Sequence, residues 1–514
     1  MLFNSFSFLL LFLPITAVVF FALAKRSHQL AAGWLALASL FFYGWWDYRY
    51  LPLLLASIAF NYWMGWRIGH TERSKAKLWL VGAIALNLVL LAYFKYADFY
   101  ITSINTLAGS NFPVLHVILP IGISFFTFTQ IAFLVDTYQG KVKEYRFTHY
   151  LLFVTYFPHL IAGPVLHHKE MMPQFGDAKT YRCLPENIAV GIAIFAMGLA
   201  KKVLIADSLA VHATFFFDQT DSPSLLVAWG GVLAYTFQLY FDFSGYSDMA
   251  IGLSRLFGIR LPLNFNSPYK AVNIIDFWRR WHMTLSRFLR DYLYIALGGN
   301  QKGPVRRYAN LMITMVLGGL WHGAGWNFVI WGSLHGAYLM VNHAWAGLAH
   351  RLRLPLSSRW WRLCSVCLTF AAVCFAWVFF RASDFSRASA IIQGMLNMNG
   401  IGIPENIGTH LGGLKAMLEH IGVTFYLGGG TRFVQTYIWV LVAAAIAFFL
   451  PNTQEVMDKF NPALDHQSGQ IRSSFVTRYL TWQPTLVWAL WIGLLLVASL
   501  LLINRPAEFL YFQF

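Results

Sequence analysis

Charge is what this sequence lacks. Of its 514 residues only 12% are Asp, Glu, Lys or Arg, against about 25% in an ordinary soluble chain. Acids are the scarcer sign, 22 against 38 Lys and Arg. Cysteine is nearly absent, with Cys183, Cys364, Cys367 and Cys374 the complete set. Four thiols in a chain of this length exclude a disulfide scaffold. Three of them sit in one apolar run, where cysteine packs as a small hydrophobe. Cys364 and Cys367 have C-x-x-C spacing but no second pair follows, so no metal site is expected.

What is present is apolar: 58% of the chain is hydrophobic and 18% of the chain is aromatic, with a mean hydropathy of +0.53. Disorder, collagen-like repeats and coiled coils are excluded by that balance. The formal charge of +16 would point to nucleic acid in a soluble domain. Here the cations fall between apolar runs, as in cytoplasmic loops facing anionic lipid. Membrane lipids, and no nucleic acid, are the expected surroundings. The fold class is all-α, a polytopic membrane bundle with interfacial and re-entrant helices.

The first run, Phe6 to Ala24, has no basic segment ahead of it and Lys25-Arg26 behind it, the reverse of a secretory signal. It reads as an uncleaved first helix with a periplasmic N-terminus. Ala31 to Trp46 then returns outward, Leu51 to Trp66 comes in towards Arg67, Arg73, Lys75 and Lys77, and Leu78 to Phe94 goes out. From Val114 to Pro164 the chain is apolar but interrupted by Pro120, Gly122, Pro158, Gly163 and Pro164. Broken helices at membrane depth survive when buried in protein or lining a cavity. Further spans are expected at Ile188 to Ala206, Leu225 to Phe243, Leu311 to Trp321 and onward, Phe328 to Ala344, Trp360 to Phe380, Thr436 to Leu450 and Pro484 to Ile503. The total is roughly a dozen by the span-length rule. Residues 386–431 are glycine-rich and less apolar, an expected extramembrane loop with short helices between a core at 1–385 and C-terminal helices at 432–514. No internal repeat suggests the inverted halves of a transporter.

Chemistry concentrates between residues 236 and 340. Ile274 to Leu297 is too polar to span and reads as one amphipathic helix at the cytoplasmic interface. Asp276, Arg280, Met283 and Arg287 fall on one stripe, with Trp278, Trp281, His282 and Leu285 on the other. Pairs Asp276–Arg280 and Arg287–Asp291 at i,i+4 would partly neutralise each other. The arginines would serve equally well as a lipid-surface anchor. His282 is out of place there, interrupting an aromatic stripe. His322 closes an apolar span within Leu317-Gly-Gly-Leu-Trp-His322-Gly-Ala-Gly325-Trp326-Asn327. An ionisable residue inside a membrane helix is a functional-site hypothesis, and histidine moves protons near neutral pH. In Tyr240-Phe-Asp242-Phe-Ser244-Gly-Tyr-Ser247-Asp248, Ser244 and Asp248 share a helix face. They would orient a histidine or bind a substrate hydroxyl; a polar knot between helices is an equal alternative.

These strings, together with Phe277-Trp-Arg-Arg-Trp-His282-Met-Thr-Leu-Ser286, Leu119-Pro-Ile-Gly-Ile-Ser-Phe125 and Phe157-Pro-His-Leu-Ile-Ala-Gly-Pro164, resemble the membrane-bound O-acyltransferase family, and within it the subgroup that O-acetylates alginate. The resemblance runs from the N-terminus to about residue 385. It implies a helix bundle around a central tunnel, with the hallmark histidine at His322 and a second at His282. It also implies acetyl-CoA as donor, no bound cofactor, and a periplasmic SGNH-hydrolase-like acetyltransferase as partner in the bacterial inner membrane. On that footing His322 is a general base or a covalent acyl carrier, and His282 positions or polarises the thioester. Arg279 and Arg280 meet donor phosphates, and Trp278, Trp281, Trp321, Asn327, Ser244 and Asp248 are candidate binding residues. Alginate is the favoured polymer. Cellulose, another exopolysaccharide, peptidoglycan or D-alanylation remain alternatives, as do a non-catalytic transporter and a structural subunit that recruits a periplasmic enzyme.

Overall fold

A computed structural model describes residues 1–142, 146–161, 163–354, 358–464 and 479–504. Lys143 of a basic connection, Ala162 of the Phe157–Pro164 run and the stretches 465–478 and 505–514 lie outside the described residues. The molecule is a bundle of helices, as the apolar runs imply. After a π-helical turn at Ser7–Phe12 come α1 (Leu13–Ala24), α2 (His28–Gly44), α3 (Leu51–Gly69) and α4 (Arg73–Ala108). Their connections at 25–27, 45–50 and 70–72 are short, so the four run back and forth. They define two faces, a Trp46 face and an Arg26 face.

The interrupted region folds as α5 (Ile123–Tyr138), α6 (Phe147–Thr155), α7 (Phe157–Leu160) and α8 (His168–Gly176). Beyond it α9 (Pro185–Ala200) passes through a π segment, Lys201–Ala206, into α10 (Asp207–Gln219). The longest central helix is α11 (Leu225–Leu256). Next come the short α12 (Ile274–Trp278) and α13 (Met283–Phe288), then α14 (Gly303–His322), α15 (Trp326–Arg351) and α16 (Arg359–Arg381). Residues 386–431 hold most of α17 (Phe385–Met395), the single turn α18 (Glu405–Gly408) and α19 (Gly413–His420). They also hold a parallel pair, β1 (Ile401–Pro404) with β2 (Val423–Tyr426), in which Ile401 faces Val423. The chain continues through α20 (Gly430–Phe449) and α21 (Thr453–Val456) to α22 (Leu486–Leu502).

Among the described residues five helical segments are long and apolar enough to cross a membrane: Ser7–Ala24, Arg73–Ala108, Pro185–Gln219, Arg359–Arg381 and Gly430–Phe449. Their outer surfaces carry exposed Val18, Leu78, Val89, Leu368 and Leu441. Polar groups lie inside instead. Asn61 and Asn87 join α3 to α4, each side-chain amide donating to the other at 3.1 and 2.7 Å. Buried Lys202 pairs with Asp207 at 2.6 Å and Asp242 at 2.7 Å. Apolar outside and hydrogen-bonded polar inside is the arrangement lipid demands. This is a membrane protein.

The tightest seam joins α9 to α11. A Cβ on Gly198 would meet Gly245 O at 2.7 Å, and one on Gly252 would meet Gly191 O at 2.7 Å. Each helix thus presents two glycines seven residues apart, and backbones touch where side chains would separate them.

One expected element is corrected. Ile274 to Leu297 is not a continuous helix: α12 stops at Trp278, α13 starts at Met283, and a π segment follows at Leu289–Tyr294. His282 breaks it by taking a left-handed conformation, φ 43°. The Asp276–Arg280 pair forms at 2.8 Å. Arg287 pairs with Glu170 instead of Asp291, and Asp291 pairs with Arg290. The two stripes drawn on one helix therefore do not exist as such.

Candidate active site

His322 is the last residue of α14, and Gly323 leaves the helix in extended backbone. The helix reaches that point against α15 with almost no spacing. A Cβ on Gly319 would strike the Phe328 carbonyl, and one on Gly332 the Met315 carbonyl. Those glycines bring the imidazole of His322 against Trp331 and Phe380, each with ring centres 5.2 Å away, and against its neighbour Trp321 at 5.0 Å. Although only 9% exposed, His322 is not sealed off. It lines a cavity of about 300 Å³ together with Trp46, Lys95, Leu119, Gly122, Phe125 and Ile161. The presence of Trp46 puts that cavity towards the Trp46 face.

His282 approaches from the other side, its ring centre 6.3 Å from that of His322. It is fully buried, and its left-handed backbone is an uncommon state for a residue with a Cβ. Contacts of residues 264–266 hold it there. Met283 N donates to Asn264 O at 3.0 Å, and Asn266 N donates to Arg280 O at 2.9 Å. The Asn264 side-chain oxygen accepts from Thr284 Oγ1 at 2.9 Å and faces Thr284 N at 3.5 Å. Thr284 Oγ1 in turn accepts from Val165 N at 2.9 Å. His282 Nδ1, 2.9 Å from that Asn264 oxygen, is therefore the donor. In a neutral ring Nε2 then keeps its lone pair. Among the described residues Nε2 has no partner.

The remaining candidates separate by their contacts. Trp281 packs against Phe265 and Phe277, with ring centres at 5.0 and 5.7 Å, and Trp278 against Trp331 at 5.9 Å. Both support the histidine pair. Trp321 stacks on Phe128 at 5.3 Å, and Phe128 stacks on Phe288 at 4.4 Å. Asn327 donates to Ala382 O at 2.8 Å, tying α15 to the end of α16. Asp248 accepts from Lys201 Nζ at 2.6 Å, Thr453 Oγ1 at 2.6 Å and Gln454 Nε2 at 2.9 Å. Those three donors make it a knot between the π segment, α11 and α21. Ser244 is buried beside it, with its hydroxyl unpartnered among the described residues. Arg280 is committed to Asp276, while Arg279 is exposed. No group of three or more potential metal ligands occurs among the described residues.

Three residues escaped the sequence reading. Asn264 orients His282 from a loop 18 positions earlier in the chain, a relation no local pattern encodes. His335 on α15 is fully buried against Trp331, ring centres 4.7 Å apart, with neither nitrogen partnered among the described residues. Lys95 shares the His322 cavity. A lysine inside an apolar helix is itself a signal, but here it coincided with the assumed end of a span.

Comparison with known proteins gives the family of the chain. Residues 45–383 match MBOAT, the membrane-bound O-acyltransferase family, a stretch that includes both histidines and the cavity. The chain is 46% identical over 431 residues to the peptidoglycan O-acetyltransferase of Helicobacter pylori, covering 78% of this chain and 81% of that one. It is 38% identical over 544 residues to a Pseudomonas aeruginosa protein named "Probable alginate O-acetylase AlgI", along the whole of both. To the teichoic acid D-alanyltransferase of Bacillus subtilis it is 28% identical over 273 residues, 52% of this chain and 69% of that one. Matched across its membrane core and both histidines, the chain is an acyltransferase and belongs to the membrane-bound O-acyltransferase family.

Proposed function

We propose that the protein carries acetyl groups from a cytoplasmic thioester donor, of the acetyl-CoA type, to a hydroxyl acceptor on the periplasmic side, for O-acetylation of an exported polysaccharide. The single observation that carries this reading is His322 in a cavity on the Trp46 face. The Arg26 face bears Lys25, Arg26, Arg67, Arg73, Lys75, Lys77, Arg351 and Arg359 at its helix ends. By the positive-inside tendency that face is cytoplasmic, so the Trp46 face is periplasmic in the bacterial inner membrane and the N-terminus lies there too. The reacting centre then sits where a donor made inside can meet an acceptor outside.

Transfer to a hydroxyl needs a base for the alcohol proton and an acid for the leaving group, and a well-placed base contributes about 10²–10⁴-fold. His322 fills that role. His282, whose Nε2 keeps a lone pair, positions the donor as a hydrogen-bond acceptor; polarising the thioester carbonyl would need the ring protonated at Nε2 as well. Exposed Arg279 is free to meet donor phosphates. A periplasmic SGNH-hydrolase-like acetyltransferase completes delivery to the polymer.

Full-length similarity to alginate O-acetylases supports alginate as the polymer. Peptidoglycan is the second reading, supported by the 46% identity to a peptidoglycan O-acetyltransferase. Mass spectrometry of exopolysaccharide and of murein from a deletion strain, with and without the wild-type gene, separates them. Ester lost from the exopolysaccharide alone supports alginate-type function, and ester lost from murein alone supports the second reading. Unchanged ester in both would refute polymer acetylation.

A further inference from the structure

The last carbonyls of any α-helix have no N–H partner within it. At the end of α14 the problem is acute, because Gly318 and Gly319 weaken the final turn and the backbone turns extended immediately after His322. Helix α4 supplies the missing donors. Tyr96 Oη donates to Leu320 O at 2.7 Å. Lys95 Nζ donates to Trp321 O, and to His322 O at 3.2 Å. Three consecutive carbonyls are thus capped by two adjacent side chains some 225 positions distant in sequence. A cation at a helix C-terminus also opposes the negative end of the dipole.

Capping accounts for two of the three ammonium protons. Nζ makes no ion pair with a carboxylate among the described residues. Asp98, one turn further along α4, accepts instead from Leu115 N at 3.0 Å and Val117 N at 2.9 Å. Meanwhile Lys95 lines the same cavity as the His322 side chain, and the two are its only ionisable lining groups among the described residues. Nζ also stands 5.8 Å from the centre of the Trp321 ring, so the amine of Lys95 sits at the edge of the space where His322 would meet its substrates.

We propose that Lys95 is a second functional group of the acyl-transfer centre, fixing the chain end that carries His322 and stabilising the oxyanion of the tetrahedral intermediate. This rests on the O-acyl transfer reading above. The acceptor oxygen bonds to the acyl carbon while its proton passes to His322. The carbonyl π pair moves onto oxygen, and that negative charge develops beside Lys95 Nζ. On collapse the pair returns, the carbon–sulfur bond of the thioester breaks, and the departing thiolate takes the proton from His322. Preorganised positive charge at a developing oxyanion in a water-poor site is among the larger catalytic effects, about 10²–10³-fold for one lost donor.

The test uses the full-length protein purified and reconstituted in liposomes, with acetyl-CoA and a soluble hydroxyl acceptor. Lys95→Gln keeps an N–H donor for the carbonyls but removes the charge; Lys95→Arg keeps the charge. Lys95→Gln is expected to lower kcat at least 100-fold with KM for the donor within threefold and an unchanged melting temperature. Lys95→Arg should recover at least tenfold of that loss. Tyr96→Phe, which removes only the Leu320 cap, serves as the structural comparison and should change kcat less than tenfold. A Lys95→Gln kcat within threefold of wild type would overturn the proposal. So would equal losses in Lys95→Gln and Lys95→Arg at equal melting temperature. Absence of transfer by the wild-type protein would instead count against the reading on which the proposal rests.

Discussion

The imidazoles of His282 and His322 stand with ring centres 6.3 Å apart, and neither has a carboxylate partner among the described residues. An amide takes the place an acid fills in a Ser-His-Asp arrangement, since His282 donates from Nδ1 to Asn264. His282 is therefore positioned by a hydrogen bond to an amide, and His322 by its backbone and by the walls of Trp321, Trp331 and Phe380.

Removing that amide should disorder the pair without emptying the membrane of protein. Asn264→Ala deletes the acceptor for His282, leaving it free to flip its tautomer. Acyl transfer is expected to fall about 10–100-fold, in the range seen for lost orienting partners. Initial rates with the reconstituted enzyme, set against those of His282→Ala, check this. If His282→Ala is inactive and Asn264→Ala is fully active, the orienting role is wrong.

Asp248 should behave as a structural residue. Asp248→Ala strands Lys201 and removes the acceptor of Thr453 and Gln454. Breaking a buried pair from one side costs about 3–5 kcal/mol. The variant should melt at lower temperature in detergent, while kcat per folded molecule stays within threefold of wild type. A hundredfold fall in kcat without a change in melting temperature would place Asp248 in the chemistry instead.

The α9–α11 seam should tolerate no side chain. In Gly198→Val the added carbons would meet Gly245 O and Met249 N at 2.7 Å or closer, and little folded protein is expected. Gly82→Ala on α4 is the contrast, because nothing lies within 4 Å of the new Cβ. Helix propensity there favours alanine by about 0.5–1 kcal/mol. Size-exclusion profiles and melting temperatures in detergent distinguish the two, and a well-folded Gly198→Val would contradict the close packing.

The bundle itself was legible because lipid imposes long apolar runs, and His322 because an imidazole among glycines in such a run stands out. The spacing of Gly191 and Gly198, matched by Gly245 and Gly252, was also in plain view, though only the fold shows which helices it joins. Other features were hidden for physical reasons. A span that seems to end at Phe94 continues to Ala108, because Lys95 finds its partners on α14 rather than in headgroups. The break at His282 is a tertiary effect: Asn264 and Thr284 hold a left-handed residue that helix propensity alone would not place there. Strands of four residues at Ile401–Pro404 and Val423–Tyr426 are too short for alternation to register.

The most direct measurement is the acyl-transfer rate of reconstituted His322→Ala protein against wild type, with folding verified by melting temperature. If the His322 imidazole handles the acceptor proton, the rate should fall by about 10²–10⁴-fold in a protein that melts as wild type does. A correctly folded variant transferring acetyl within threefold of the wild-type rate would contradict the account.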